Sequence, residues 1–342
     1  MTDAAWMAEV RAGVNDRLTE YFEAKRKEAE QLSNDSVRLV DAVRSLTMRG
    51  GKRLRAAVIT AGFVAIDGKG DRRRCTDVSA SLELLQSYLL IHDDWMDNDS
   101  ERRGGPSVHI ELARIYENKE LGNSLAILAG DLASAYAWEL FASAPFPEGG
   151  LRRAMEYYVQ IQKEVFFGQQ LDLTGSSDVS LMHQLKTGSY TVRGPLGLGA
   201  LLAGASEAQL SDLEAFGAPL GLAFQLRDDL LGTFGNPDAL GKPIGNDLRA
   251  GKRTALIREA ETLLDAAARK RLQAVLGRAD ASDEEVASAA RLLVDCGAKA
   301  NVEASLNSLV DEARRVLDGA SFSPEGKDLL WQVAQLLAVR DR

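Results

Sequence analysis

Cysteine, proline and histidine are all scarce in this chain, and each scarcity narrows what it can be. Cys75 and Cys296 are the only two cysteines in 342 residues. They lie far apart and fit no metal or redox spacing, so they read as free thiols in a reducing compartment. Only 8 prolines are present, several long segments are rich in Ala, Leu, Glu and Arg, and no run alternates apolar and polar residues. That combination favours helix throughout and makes the expected fold all-α. The 3 histidines offer no obvious catalytic base.

Positive charge is also in deficit. With 41 basic against 50 acidic residues and a formal charge of -9, the chain has no broad basic surface for a phosphate backbone, which argues against a nucleic-acid partner. No apolar run reaches the roughly 20 residues that a bilayer span takes, so no transmembrane segment is expected. The start, Met1-Thr2-Asp3-Ala4-Ala5-Trp6-Met7-Ala8-Glu9, carries acids where a signal peptide has its basic region; the expected location is cytoplasmic. No fixed-period repeat, low-complexity tract or Pro/Gly/Ser linker divides the sequence, and 45% hydrophobic residues suffice for a substantial core, so one domain over 1–342 is the expectation.

Helices are expected near 5–32, 35–47, 54–66, 76–98, 107–117, 122–143, 150–171, 179–187, 190–204, 207–232, 253–269, 282–297, 299–318 and 324–339, with breaks at the Gly and Pro clusters. Segment 76–98 is apolar around most of its circumference through Val78, Leu82, Leu84, Leu85, Tyr88, Leu89, Leu90, Ile91 and Trp95, as a central helix would be. Segment 207–232 carries Phe216, Leu220, Phe224 and then Asp228 at intervals of four. Its apolar stripe runs into a carboxylate.

Two acidic clusters end these helices: His92-Asp93-Asp94-Trp95-Met96-Asp97, and Gln225-Leu226-Arg227-Asp228-Asp229-Leu230-Leu231-Gly232. On a helix Asp93 and Asp97 stand one turn apart, roughly 6 Å along the axis, on nearly one face. Carboxylates at a helix C-terminus oppose the macrodipole and repel one another; such an unrewarded arrangement points to a functional site. Oxygen-rich groups suit a hard cation such as magnesium, which shares its coordination sphere with phosphates. The plainer reading of Asp228 and Asp229, as surface ion pairs with Arg227, Lys242 or Arg249, stays open beside it. Three basic groups complete the set: Gly50-Gly51-Lys52-Arg53-Leu54-Arg55, Arg102-Arg103-Gly104-Gly105, and Lys242 with Lys252-Arg253. Arg offers a bidentate fork and Lys a point charge to phosphate oxygens, with glycines allowing close approach. Acids and cations together describe a site for metal-bound and cation-bound diphosphates.

Gly-Gly-Lys-Arg at 50–53, Asp-Asp-x-x-Asp at 93–97 followed by Arg102-Arg103-Gly104, Lys186-Thr187, and Phe224-Gln225 before Asp228-Asp229 resemble the ordered motif set of the trans-isoprenyl diphosphate synthases over about residues 45–255. Residues 260–342 carry no motif. The resemblance implies a bundle of ten or more helices around a central cavity, a homodimer, and a magnesium-dependent reaction. In it an allylic diphosphate loses its diphosphate, isopentenyl diphosphate attacks the resulting cation through its double bond, and a proton leaves. By the same resemblance Asp93, Asp94, Asp97, Asp228 and Asp229 would hold several magnesium ions. Arg102, Lys186, Lys242 and Lys252 would assist the allylic diphosphate; Lys52, Arg53, Gln86 and Arg103 would hold isopentenyl diphosphate. Thr187 and Gln225 would turn oxygen dipoles toward the reacting carbons.

Two departures stand out. Gly232 sits where the fuller second motif has its last Asp, and Gln86 where many members have a His that contacts isopentenyl diphosphate; Gln still donates a hydrogen bond. Product length should depend on Tyr88 and Leu89 beneath Asp93, a pattern that resembles short-chain synthases making C20 geranylgeranyl diphosphate, with C15 farnesyl diphosphate as the alternative. His92, beside the first cluster, could serve as a helix-end side chain or act directly. A terpene cyclase would need no isopentenyl diphosphate site, which the two basic motifs argue for, and Asn246-Asp247-Leu248-Arg249-Ala250-Gly251-Lys252 lacks the Ser and Glu spacing of the second cyclase motif. A non-catalytic regulatory subunit remains the third reading, because such subunits lose part of the aspartate set.

Overall fold

The structure, a computed structural model, describes residues 5–338 apart from 69, 177, 179–180, 183 and 236–244, and the backbone but not the side chains of 187 and 246. Among the described residues it is all-α: fifteen α-helices, one 3-10 helix (Arg72–Cys75), one π-helical stretch and a single hairpin of two two-residue strands. The described chain falls into two compact units, Met1–Gln160 with Gly194–Leu210 and Phe322–Leu330, and Ile161–Arg193 with Ser211–Ser321 and Trp331–Arg342.

In the first unit the opening helices are α1 (Ala5–Glu30), α2 (Asn34–Met48), α3 (Leu54–Ile66) and α4 (Thr76–Met96), followed by α5 (Val108–Ile115) and α6 (Lys119–Ala142). Helix α4 packs against α1, α2, α3, α5 and α6, so its nearly continuous apolar surface makes it the central helix that the pattern predicts. Helix α3 has every residue from Ala56 to Ala65 buried and lies against Gly194–Leu202. That approach depends on Gly199, where a Cβ would overlap the Ile59 carbonyl and lie 2.8 Å from the Phe63 nitrogen. Helix α6 buries a stripe of Ala126, Ala129, Ala133 and Ala137, the i, i+3/i+4 spacing of a packed face.

Contrary to the sequence expectation, α6 is long and apolar enough to cross a membrane by length and composition. Its Ala137 carbonyl accepts from Ser81 of α4 at 2.6 Å, and its Glu139 carboxylate accepts from Lys25 at 2.7 Å and from Tyr21 at 2.6 Å. These contacts hold one face of it within the unit.

In the second unit Leu230, Leu248, Leu256, Ile257, Leu272, Val286 and Leu293 form a buried core. The expected helix over 253–269 is two, Ala255–Leu263 and Ala266–Gln273. Leu264 turns extended and Asp265 accepts from the Ala268 nitrogen at 2.7 Å, an N-cap signal present in the sequence. Within the expected helices 179–187 and 190–204, residues Gln184–Arg193 form a wide π-type helix and Gly194–Leu202 an α-helix, while 179, 180 and 183 lie outside the described residues; insertions of the π type gather at functional sites.

Candidate active site

Helix α4 ends one residue before Asp97, but the Asp97 nitrogen still donates to the Asp93 carbonyl at 2.8 Å. Asp93 and Asp97 are therefore one helical turn apart, as the spacing predicts. Asp97 is exposed and Asp93 half-buried, whereas the intervening Asp94 is fully buried. Its Oδ1 accepts from Arg102 Nε at 2.7 Å, and its Oδ2 is buried with no hydrogen-bond partner. Burial pushes the Asp94 carboxyl up to about 6, partly offset by the Arg102 guanidinium beside it. Arg102 also reaches Asp99 at 3.1 Å and Asp93 at 3.8 Å. One arginine thus brings countercharge to three carboxylates at the C-terminal end of α4, where the macrodipole disfavours them.

Arg102 is placed by a hairpin that the helix-oriented sequence reading misses. Glu101–Arg102 pairs antiparallel with Gly105–Pro106, and the two loop residues Arg103 and Gly104 have φ of 52 and 71. Positive φ at both central positions is the type I′ signature, which the Gly-rich sequence permits. Arg49, at the end of α2, holds this hairpin by donating to the Pro106 carbonyl and to Glu111 at 2.6 Å. The Gly50-Gly51-Lys52-Arg53 loop lies alongside it: a Cβ on Gly51 would be 4.0 Å from Arg103 Nη1. The structure therefore brings both basic motifs of this unit together, with the hairpin touching the acidic cluster on its other side.

Within that loop Arg53 takes a different place from the one the resemblance implies. Its side chain is 2% exposed and donates to Glu83 Oε2 at 2.6 Å, Glu83 being 3% exposed. It donates further to the Thr47 carbonyl at 2.9 Å and Asn15 Oδ1 at 3.0 Å. All three guanidinium nitrogens are engaged inside the unit, which sets Arg53 as the anchor of the loop. Lys52 is exposed, and Arg55, half-buried on the first turn of α3, is the next cation. Glu83 was legible only as an isolated acid on an apolar helix.

Gln86, Tyr88 and Leu89 are half-buried on α4. The Tyr88 ring meets the His92 imidazole edge-on at 4.8 Å, and His92 Nε2 is 3.1 Å from the Ile127 carbonyl of α6. A Cβ on Gly130 would overlap that imidazole. His92 is thus wedged between Tyr88 and the α6 backbone.

In the second unit the other Asp pair divides the same way. Asp228 is exposed, while Asp229 is 5% exposed. Asp229 Oδ1 accepts from Gln225 Nε2 at 3.0 Å and Oδ2 from the Ala255 nitrogen at 2.8 Å. Asp229 thereby ties the end of helix Glu207–Phe234 to the start of Ala255–Leu263, and Gln225 spends an amide proton on that tie. Lys186 lies in the π-helical stretch and pairs with Asp172 at 2.5 Å. Lys252 pairs with Asp247 at 3.1 Å with most of its side chain exposed. Lys242 and the Thr187 side chain lie outside the described residues. Among the described residues no three His, Cys, Asp or Glu side chains are grouped so as to hold a metal ion by themselves. Open carboxylates fit a cation that keeps waters and binds with substrate phosphates.

A family model described as "Polyprenyl synthetase" matches residues 36–293. The chain is 34% identical over 265 residues to a short chain isoprenyl diphosphate synthase of Methanocaldococcus jannaschii, covering 75% of this chain and 76% of the relative. It is 32% identical over 294 residues to a geranylgeranyl diphosphate synthase of Sulfolobus acidocaldarius, covering 83% and 82%. Among solved structures, a geranylgeranyl pyrophosphate synthase of Corynebacterium glutamicum, complexed with isoprenyl diphosphate and magnesium, aligns with a TM-score of 0.87 at 32% identity. That alignment covers 96% of this chain and 98% of that one.

Proposed function

Since the chain belongs to the polyprenyl synthetase family, we propose that it is a short-chain trans-prenyltransferase. It condenses isopentenyl diphosphate head-to-tail with an allylic diphosphate, and its end product is C20 geranylgeranyl diphosphate. The observation that carries this reading is the hairpin of the first unit, where Arg102 binds the acidic end of α4 and Arg103 lies beside the Gly51 loop. Metal-binding acids and phosphate-binding cations are thereby joined.

The residues divide as follows. Asp93, Asp97 and Asp228 offer accessible carboxylates to magnesium, while Asp94 and Asp229 orient them from within. When bound, magnesium stabilises negative charge on the departing diphosphate. Arg102, Lys186, Lys242 and Lys252 hold that diphosphate by charge-assisted hydrogen bonds. Lys52, Arg55, Gln86 and Arg103 hold isopentenyl diphosphate, with Arg53 acting through Glu83 to fix the loop that carries Lys52. Thr187 and Gln225 place polar atoms near the developing carbocation without supplying a nucleophile. Tyr88, buttressed by His92, and Leu89 close the path of the growing chain. The enzyme acts as a homodimer in the cytoplasm; α6 exposes Leu121, Ile127 and Leu128, an apolar group suited to a second copy.

The test is incubation of the purified protein with magnesium, labelled isopentenyl diphosphate and C5, C10 or C15 allylic partners. Chain extension ending at C20 is expected. No extension from any partner sinks the synthase reading, and a product ending at C15 reassigns the length to farnesyl diphosphate. Light scattering of the same preparation tests the dimer.

A further inference from the structure

The π-helical stretch that carries Lys186 and Thr187 is held to α7 (Glu148–Leu173) by three residues at intervals of four, Glu164, Gly168 and Asp172, which stand on one side of that helix. At one end Asp172 takes Lys186 Nζ at 2.5 Å. In the middle there is no side chain: a Cβ on Gly168 would lie 2.7 Å from Lys186 Cα and 2.8 Å from the Leu185 carbonyl carbon, so the two backbones touch. At the other end Glu164 accepts from Arg193 Nη2, on the last residue of the stretch. Only 16% of the Glu164 side chain and 29% of that of Arg193 are exposed. Neither residue belongs to the acidic and basic motifs of the sequence.

The stretch needs such a hold. A π-helix is a rare local choice, found mostly as a single turn, whereas Gln184–Arg193 runs for 10 residues. Pro195, just beyond, brings no N–H to the ladder, so main-chain bonding alone does not fix where the wide helix ends. The Ser189 hydroxyl donates to the Leu185 carbonyl at 2.7 Å. A Cβ on Gly221 of the long helix Glu207–Phe234 would lie 3.5 Å from Gly188 Cα. Neither of these contacts is charged or reaches the last turn; the pair of Glu164 with Arg193 is and does. A slip of one residue would swing Lys186 about the helix axis by roughly a quarter turn, away from Asp172. We propose that Glu164, through Arg193, is a positioning residue for Lys186: the pair pins the C-terminal end of the π-helical stretch, so that the Lys186 ammonium stands where the departing diphosphate gathers charge. Asp172 holds that ammonium in the unliganded chain, and the pin keeps the backbone in place when it turns to the diphosphate. The inference rests on the assignment of Lys186 to the allylic diphosphate.

Glu164→Gln keeps the shape and removes the charge. In steady-state extension assays with magnesium it should lower kcat about tenfold, the scale of a small misplacement of a charged group, and leave KM for isopentenyl diphosphate unchanged. In a Lys186→Ala background the same substitution should change kcat by less than about twofold, because a residue that acts through Lys186 has nothing to position once the ammonium is gone. A second readout needs no turnover. Acetylation of Lys186 in the unliganded protein, followed by peptide mass spectrometry, should quicken about threefold in Glu164→Gln as the modest protection of its pair with Asp172 is lost. An unchanged kcat in Glu164→Gln overturns the inference. So does a loss that persists in the Lys186→Ala background, or one that comes with unaltered acetylation of Lys186, for Glu164 would then serve the fold alone. If Glu164→Gln does not fold, Arg193→Lys, which keeps the charge without the fork, takes its place with the same expectations. If Lys186→Ala is too slow to assay, the acetylation rates decide. Failure of the unsubstituted protein to extend any allylic partner strikes the synthase reading instead, and the acetylation contrast still tests the pin.

Discussion

Replacing Arg53 with Met would leave the Glu83 carboxylate charged, 3% exposed and without its ion-pair partner. It would also strip the Thr47 carbonyl and Asn15 Oδ1 of a donor, at 2.9 and 3.0 Å. Removing one member of a buried ion pair costs about 3–5 kcal/mol, because the remaining charge must be desolvated alone. The loss should appear as a lower urea midpoint with an unchanged slope. Glu83→Leu alone should cost a similar amount, and the double variant Arg53→Met/Glu83→Leu should recover most of it, since an apolar pair of like volume is often as stable as the ion pair. Arg53→Lys keeps the charge but cannot span three acceptors with one fork, so it should fall between. By contrast Lys52→Ala should change stability by less than about 0.5 kcal/mol while raising KM for isopentenyl diphosphate. The reasoning fails if Arg53→Met unfolds like the parent protein and raises that KM as Lys52→Ala does, for Arg53 would then serve substrate and not the loop.

Gly130→Ala places a methyl on the His92 imidazole, an overpacking that should cost about 1–3 kcal/mol and, through the Tyr88 contact, alter the product distribution; Tyr88→Ala should lengthen products, and chromatography of both reaction mixtures checks this. Asp94→Asn should lower the melting temperature by weakening the hold of Arg102, whereas Asp93→Asn should leave it unchanged and raise the magnesium concentration needed for half-maximal rate. Glu285 is held down to about 2 by its hydrogen bond from Arg278 and the Ser282 capping contacts. Its folded value lies below the ordinary 4.5, so its stabilisation is present above that value and lost as pH falls toward about 2. Glu285→Gln should flatten the acid side of the stability profile across that window in a thermal-melt series.

How much of the site was legible varied with the kind of residue. Asp93 and Asp97 could be placed one turn apart because helical spacing is local, and the Asp97 nitrogen to Asp93 carbonyl bond bears that out. The inward turn of Asp94 and Asp229 could not be read, because it depends on Arg102 in one unit and on the Ala255 nitrogen in the other. Arg53 and Lys52 are neighbours of like charge, and no local rule says which one folds inward. The break at Leu264 was readable from Asp265 as a cap, but the apolar periodicity on either side masked it.

By itself the sequence determined the all-α class, the central place of the helix ending in Asp93-Asp94, and the chemistry of acids and cations in ordered motifs. Those properties follow from periodicity and residue type, which act over a turn or two of helix. Only the tertiary structure decided which carboxylates stay accessible and which cation is buried as an anchor. It also decided that Asp247 stands in the space of a side chain at Gly232. Each depends on where distant backbone segments meet, and a glycine in a sequence does not say what occupies the room it leaves.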